Sequence, residues 1–367
     1  VLKNSWYVLA ECSAVGTAPI KVRALGQDLV VFRRVSDHKV VVLSNACVHR
    51  MGSLAHGTVV GDCVRCPYHG WTYADDGACT SIPANPAGAA IPKKARVDSY
   101  PVEERYGWIW AFLGDLPEPE RPPLPPLPEL DEPGLRAVRG EFTWAAHYAR
   151  VVENTVDIAH TPFLHARSFG NAERPVMPDY EVEVGECSLS ITVSLEAPAP
   201  KGLAKLLWRG GQNRVTLAIH MPSVNRLETM FTNGWRMVIL FAHLPVDEYT
   251  TLTRFIQLRS FMRSPLADGL ARRFSLRILE EDRATVESQH PSVMPTAPGA
   301  ELGTRSDALS IAYRKLRAEY VERGWRVDHQ AARRAAEGEG RLVVIPSPRR
   351  RDPALAKAWV LDEVGTR

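Results

Sequence analysis

No apolar run in this 367-residue chain approaches the roughly 18 consecutive residues that a membrane-crossing helix needs. Charge of one sign is missing too: 45 Lys and Arg stand against 42 Asp and Glu, a net +3. No Lys/Arg run is interleaved with aromatic residues, so a nucleic-acid surface is not expected. No glycine-rich dinucleotide fingerprint occurs. The first ten residues, Val1 to Ala10, lack a basic segment followed by a long apolar one, so they do not read as a signal peptide and a cytoplasmic enzyme is expected. Cysteine is scarce, at 6 residues: Cys12, Cys47, Cys63, Cys66, Cys79 and Cys187. In a chain this large without a secretion signal, metal binding or buried free thiols are expected before disulfides. What remains is ordinary for a globular protein with a sizeable core: 45% hydrophobic and 24% charged residues, enough chain for two or three domains.

The organisation reads as α+β. Residues 1–113 form an expected small β domain, with Leu29-Val-Val-Phe32, Val40-Val-Val-Leu43 and Trp108-Ile-Trp-Ala-Phe-Leu113 as β-branched and aromatic runs between turn signals. Residues 114–137 are dense in proline, which can neither donate to a ladder nor sit inside a helix, and read as an extended linker. Residues 138–330 mix helix and strand. Helices are predicted over 145–159, 266–283 and 305–323, the last with Leu309, Ala312, Leu316 and Tyr320 on one face. Strands of an antiparallel sheet are predicted over 180–196, 213–221, 225–231, 235–245 and 250–260. The tail, 331–367, is charged and expected to be exposed, apart from Leu342-Val-Val-Ile345, which could add a strand or dock on a neighbour.

Two ligand constellations carry chemistry. Cys47-Val-His49 is followed by Cys66-Pro-Tyr-His69-Gly-Trp, so each of two tight loops offers one thiolate and one imidazole. Two Cys on one iron and two His on the other is the ligand set of a high-potential [2Fe–2S] cluster, whose free ring N–H groups can point outward toward an electron acceptor. A zinc site is the competing reading, but its usual order is a Cys pair and then a His pair. Cys63-Val-Arg-Cys66 could be a redox dithiol. Cys66 is needed by the cluster, however, so Cys63 reads as a small buried hydrophobe, as do Cys12, Cys79 and Cys187.

The second constellation is Glu153-Asn-Thr-Val-Asp157-Ile-Ala-His160-Thr-Pro-Phe-Leu-His165. His160 and His165 would diverge on an unbroken helix, and Pro162 between them predicts a break at Thr161 that could swing His165 back. Two imidazoles and a carboxylate make the facial triad of non-haem Fe(II) oxygenases. The carboxylate is open among Asp157 and the acidic triplet Glu280, Glu281 and Asp282, with Asp282 preferred. The alternative is a pair of satisfied core or capping histidines.

The pattern C-x-H-x₁₆-C-x₂-H followed by N-x₂-D-x₂-H-x₄-H, with Asn4-Ser-Trp6-Tyr7 and Glu280-Glu-Asp282, resembles the α-subunits of Rieske non-haem iron oxygenases over nearly the whole chain. Within that family the chain is most similar to the vanillate O-demethylase, dicamba monooxygenase and phenoxybenzoate dioxygenase type. The resemblance implies an N-terminal Rieske β domain and a C-terminal helix-grip domain. It implies a [2Fe–2S] cluster on Cys47, His49, Cys66 and His69, and Fe(II) on His160, His165 and Asp282. It implies a head-to-tail homotrimer in which Asp157 bridges a cluster His of one subunit and an iron His of the next, with Asn154 near the iron. O₂ would be the co-substrate, and electrons from NADH would arrive through a separate reductase or ferredoxin, which the missing dinucleotide fingerprint fits.

The expected activity is hydroxylation or oxidative demethylation of an aromatic or polycyclic small molecule. Cis-dihydroxylation is the alternative, and a Rieske electron carrier without catalytic iron is the reading from another class. A pocket is expected from Leu206, Leu207, Trp208, Ile219, Met221, Met230, Phe231, Ile239 and Phe241. His220 and His243 are its polar candidates, and Arg209, Arg214, Arg226 and Arg236 are possible carboxylate clamps, although packing or surface roles suit each of them as well.

Overall fold

The computed structural model describes residues 1–196, 211–295, 299–338 and 340–364. The chain divides into two compact units: residues 1–124, 245–248 and 320–367, and residues 125–244 and 249–319. The first division falls inside the proline-rich stretch, which is extended apart from short 3₁₀ turns at Glu118–Glu120 and Pro128–Leu130.

The first unit is built from short antiparallel strands. They are β1 (Ser5–Glu11), β2 (Ile20–Ala24), β3 (Gln27–Arg33), β4 (Val40–Ser44), β5 (Thr58–Val60), β6 (Cys63–Arg65), β7 (Thr72–Tyr73), β8 (Cys79–Ser81), β9 (Ser99–Tyr100), β10 (Val102–Arg105) and β11 (Trp108–Leu113). Among the described residues they form sheets of order β1-β11-β10, β2-β3-β4-β9 and β5-β6-β7-β8. Every residue of β11 is buried, which is why its sequence is a continuous apolar run rather than an alternation. Val30, Phe32, Val41, Leu43, Leu54, Val64 and Tyr73 form one core cluster with Cys47 and Cys66.

The second unit centres on a seven-stranded sheet of order β12-β18-β17-β16-β15-β14-β13. These strands are β12 (Arg136–Trp144), β13 (Glu183–Val184), β14 (Ser188–Glu196), β15 (Gln212–His220), β16 (Val224–Met230), β17 (Arg236–Pro245) and β18 (Thr251–Arg259). Its helices are α1 (Tyr148–Val156), α2 (Thr161–Leu164), α3 (Asp268–Glu287) and most of α4 (Ala308–Glu322). Period-2 alternation puts Phe142 and Trp144 of β12, Ile239 and Phe241 of β17 and Phe255 of β18 on one face, where they pack with Val151 of α1 and Leu279 and Val286 of α3. Helices lying on one face of an antiparallel sheet are the helix-grip arrangement.

Three expectations need correcting. The 180–196 strand is a hairpin, turning at Gly185, whose N–H donates to Ser188 O at 2.8 Å. The buried face of α4 is rotated: Leu309 and Tyr320 are buried as expected, but Tyr313 and Arg317 fill the face in place of Ala312 and Leu316. The tail is less exposed than expected, although Leu342-Val-Val-Ile345 does supply a strand as expected. After the helix α5 (His329–Gly338), Val343–Val344 pairs in parallel with Asp362–Glu363, and Val344 and Leu361 join the core cluster that holds Cys47 and Cys66.

One buried ion pair ties the tail down. Arg350 donates at 2.8 Å to each oxygen of Asp98 and lies 4.5 Å from the Trp359 ring centroid, and Ser347 adds N–H and O–H bonds to Asp98. The two charged side chains are 4% and 1% exposed. Asp98→Ala leaves the Arg350 guanidinium with Glu363 at 4.0 Å as its remaining carboxylate. We expect that substitution to cost about 3–5 kcal/mol, since removing one partner strands a buried charge. A urea midpoint unchanged from wild type would disprove this.

Candidate metal centres

Two loops, Cys47–Gly52 and Cys66–Trp71, share one hydrogen-bonding plan. The N–H of Cys47 donates to Gly52 O at 2.9 Å and that of Met51 to Cys47 O at 2.8 Å; the N–H of Cys66 donates to Trp71 O at 2.8 Å and that of Gly70 to Cys66 O at 3.1 Å. The plan requires a left-handed residue at the fifth position of each loop, filled by Met51 (φ 57°) in one and Gly70 (φ 72°) in the other. Glycine is at home there, whereas methionine is held at a cost of about 1–2 kcal/mol.

The plan turns the thiols inward and the imidazoles outward. Cys47 and Cys66 are each 2% exposed. Cys47 Sγ is 3.1 Å from Tyr73 Oη, and a Cβ on Gly52 would come within 3.2 Å of Cys66 Sγ. The His49 and His69 ring centroids are 4.5 Å apart, and His49 stacks on Trp71 at 4.7 Å. His49 Nδ1 is buried without a hydrogen-bond partner. Burial pushes the Cys47 thiol up, so a thiolate there calls for a cation beside it; burial and then neighbouring His69 pull His49 down, toward the neutral form that ligates.

The second centre is set by how α1 ends. Asp157 is extended (φ −76°, ψ 114°), and its Oδ1 accepts the Ala159 N–H at 2.7 Å, competing with further helix. The break therefore lies before His160, not at Thr161 as the sequence predicted, and the helix predicted over 145–159 covers only Tyr148–Val156. Pro162 opens the next helical turn, where its missing N–H costs nothing. His160 and His165 cap the two ends of that turn, and their Nε2 atoms meet at 3.2 Å.

From α3, Asp282 Oδ1 comes within 3.5 Å of His160 Nε2 and 3.3 Å of His165 Nε2. Asp282 is buried on the helix face between Leu279 and Val286. Glu280 lies on the exposed side, 3.0 Å from Arg283. Glu281 reaches the outer edge of His165, with Oε2 3.0 Å from Nδ1. Asp282 Oδ1 and His160 Nδ1 are both buried and unpartnered.

Ligand bonds of about 2.1 Å at right angles put ligand atoms about 3.0 Å apart, a few tenths of an ångström below these spacings, so the trio fits one face of an octahedral ion. Burial opposes charge on His165, but Asp282 and Glu281 outweigh it and raise its pKa, as in a site that favours a cation. Among the described residues no other trio of His, Cys, Asp or Glu ligand atoms is drawn within 4.8 Å. One tetrahedral zinc would draw Cys47, His49, Cys66 and His69 to within about 4 Å of one another, so their wider spread suits two iron atoms.

Other singled-out residues fall into place unevenly. Asp157 is 33% exposed, with Oδ2 at 3.5 Å from His160 Nδ1, beyond a hydrogen bond. Asn154 sits in the last turn of α1 and is half-buried. No disulfide joins the six cysteines; Cys79 is buried as expected, but Cys12, Cys63 and Cys187 are only half-buried, and burial, followed by Glu104, lifts Cys12 to about 11. Arg226 and Arg236 are tied to Glu129 and Glu228, so they do not stand free as clamps; Arg214 is exposed.

Leu206, Leu207, Trp208 and Arg209 lie outside the described residues. Ile219 and Met221 are buried; Met230 is exposed and Phe231 packs on Phe261, away from the Ile239–Phe241 cluster. His220 is half-buried, and burial, then Arg226, lowers its pKa. His243 is buried and held neutral by burial, with a pKa of about 3. Its Nδ1 lies 2.8 Å from Thr253 Oγ1, which accepts the Trp144 indole N–H at 2.9 Å, and its Nε2 is buried without a hydrogen-bond partner.

Known proteins match the chain in both of its parts. Residues 5–101 match the Rieske [2Fe–2S] domain, and residues 144–323 match the vanillate O-demethylase oxygenase C-terminal domain. The methylxanthine N1-demethylase NdmA of Pseudomonas putida is 32% identical over 337 residues, spanning 88% of this chain and 90% of that protein. The chain belongs to the Rieske oxygenase family. The solved structure of Pseudomonas putida CBB5 NdmA with caffeine superposes on this oxygenase with a TM-score of 0.75 at 27% identity, over 88% of this chain and 91% of that one. Dicamba monooxygenase bound to dicamba shares the fold, with a TM-score of 0.70 at 22% identity over 88% and 98% of the two chains.

As a family member this oxygenase is an O₂-dependent oxidoreductase that works with a [2Fe–2S] cluster and a mononuclear iron, and it receives electrons from a separate redox partner. The electron-carrier reading is set aside, because an oxygenase domain is matched beside the Rieske domain. Among the described residues no helix is long and apolar enough to cross a membrane.

Proposed function

We propose that this Rieske oxygenase oxidatively removes a methyl group from nitrogen or oxygen of an aromatic or polycyclic small molecule. Cys47, His49, Cys66 and His69 hold its cluster, and His160, His165 and Asp282 hold its iron. The observation that carries the reading is the trio of ligand atoms spaced 3.2 to 3.5 Å apart, two from the ends of the α2 turn and one from α3, the helix that packs on an aromatic sheet face. When bound, the two iron centres supply electron delivery and O₂ reduction. The matched vanillate O-demethylase domain and the methylxanthine demethylase favour methyl removal over ring dihydroxylation.

The balance is simple: substrate N–CH₃ or O–CH₃, O₂, two electrons and two protons give the demethylated substrate, formaldehyde and water. The chain's own part is to bind, orient and exclude water. Phe142, Ile239, Phe241 and Phe255 make the sheet face that packs on α3 apolar and aromatic, and the buried, unpartnered Nε2 of His243 is a polar atom that a substrate could meet. The working unit is a head-to-tail homotrimer in which Asp157 carries the electron path between a cluster and the next subunit's iron. Asp157 and His69 each keep an open side, as that role needs.

Methylated aromatics and heteroaromatics, supplied with a surrogate reductase, NADH and O₂, should each lose one methyl with an equivalent of formaldehyde, and the enzyme should carry about three iron atoms per chain. Gain of two oxygens on the ring would replace this reading with cis-dihydroxylation.

A further inference from the structure

His165 is held at both of its nitrogens by consecutive carboxylates of α3. Asp282 Oδ1 faces Nε2 at 3.3 Å, and Glu281 Oε2 lies 3.0 Å from Nδ1. Neighbouring residues on a helix project about 100° apart, so one can face the ion while the other wraps the ring's outer edge. Glu281 is itself fixed: Oε2 also accepts the Ser168 hydroxyl at 2.8 Å, and Oε1 pairs with Arg277 Nε at 3.2 Å. The His165 ring also stacks on Phe169, with centroids 4.7 Å apart.

His160 is held differently. Its Nδ1 is buried with no partner, and the nearest carboxylate oxygen, Asp157 Oδ2, stops at 3.5 Å while the other oxygen is occupied by Ala159 N–H. One ligand is clamped and the other is left free to answer its surroundings.

We infer that Glu281 is a positioning residue that locks His165 as the permanent anchor of the iron, leaving His160 as the ligand that can move. A carboxylate accepting Nδ1–H fixes the tautomer, turns the Nε2 lone pair toward the ion and makes that nitrogen a stronger donor. The inference rests on the reading that His160, His165 and Asp282 hold the iron.

Release of the mononuclear metal tests it without turnover. Co(II) is loaded into protein that has an intact cluster and an emptied mononuclear site, and its loss to a chelator is followed by its ligand-field absorption. Glu281→Ala should release Co(II) about 10–100 times faster than wild type and shift its bands. Glu281→Gln, which keeps an acceptor oxygen without the charge and is the milder variant for folding, should fall between the two. Asp157→Asn should stay within about twofold of wild type. Release from Glu281→Ala as slow as from wild type, or Asp157→Asn releasing as fast as Glu281→Ala, would overturn the inference while leaving the ligand set standing. Wild type and His165→Ala binding Co(II) alike would overturn both.

Discussion

Asp282→Ala should carry about two iron atoms per chain in place of about three, keep the visible spectrum of the cluster and form no product above background. The substitution removes the single charged member of the trio and leaves two neutral imidazoles 3.2 Å apart. Its effect on stability should change sign with the metal. Without iron, Asp282 is a 4% exposed carboxylate whose Oδ1 has no hydrogen-bond donor. An unmet buried oxygen costs about 1–3 kcal/mol, so metal-free Asp282→Ala should melt at or above metal-free wild type. Added Fe(II) should then stabilise wild type alone, because binding to the folded form is what raises the melting temperature. Iron analysis, anaerobic thermal melts and product formation read all three expectations. Retention of about three iron atoms with normal turnover would hand the ligand role to another carboxylate.

Asp157→Asn should separate electron transfer from everything else. Asparagine keeps an oxygen that can accept the Ala159 N–H, now at 2.7 Å from Asp157 Oδ1, so the end of α1 should keep its shape. What is lost is a charge beside His160. Cluster absorbance and iron content should match wild type, while reoxidation of a pre-reduced cluster with substrate and O₂ slows strongly. Stopped-flow single turnover reads this directly, and a wild-type rate would remove Asp157 from the electron path.

The two centres were unequally legible in the sequence. Cys47, His49, Cys66 and His69 read as ligands of a two-iron cluster by type and order, and the paired loops then need only local hydrogen bonds. Strand β15 was legible because its apolar residues alternate on one buried face, and β17 because it is a nearly continuous apolar run buried on both faces. The turn that brings His160 to His165 was misread, because the deciding bond runs from the Asp157 side chain to the Ala159 backbone and leaves no mark on hydrophobic periodicity. Asp282 needed the family resemblance, since three successive acids look alike until a helix register assigns one to the interior. Glu281 was weighed only as a rival ligand; the 100° step between helix neighbours was the signal for a flanking role. Strand β12 was not singled out, because exposed charges interrupt its pattern of Val138, Phe142 and Trp144. The tail was misjudged for a non-local reason: Arg350 reads as a surface charge until Asp98, 252 residues earlier, is placed against it.

That closure has a consequence for biosynthesis. The cluster loops leave the ribosome early, yet the core around Cys47 and Cys66 also contains Val344 and Leu361. The domain that begins first is therefore completed last, after the whole oxygenase unit has been translated. A ribosome stalled before residue 343 would present Cys47, His49, Cys66 and His69 on an unclosed scaffold.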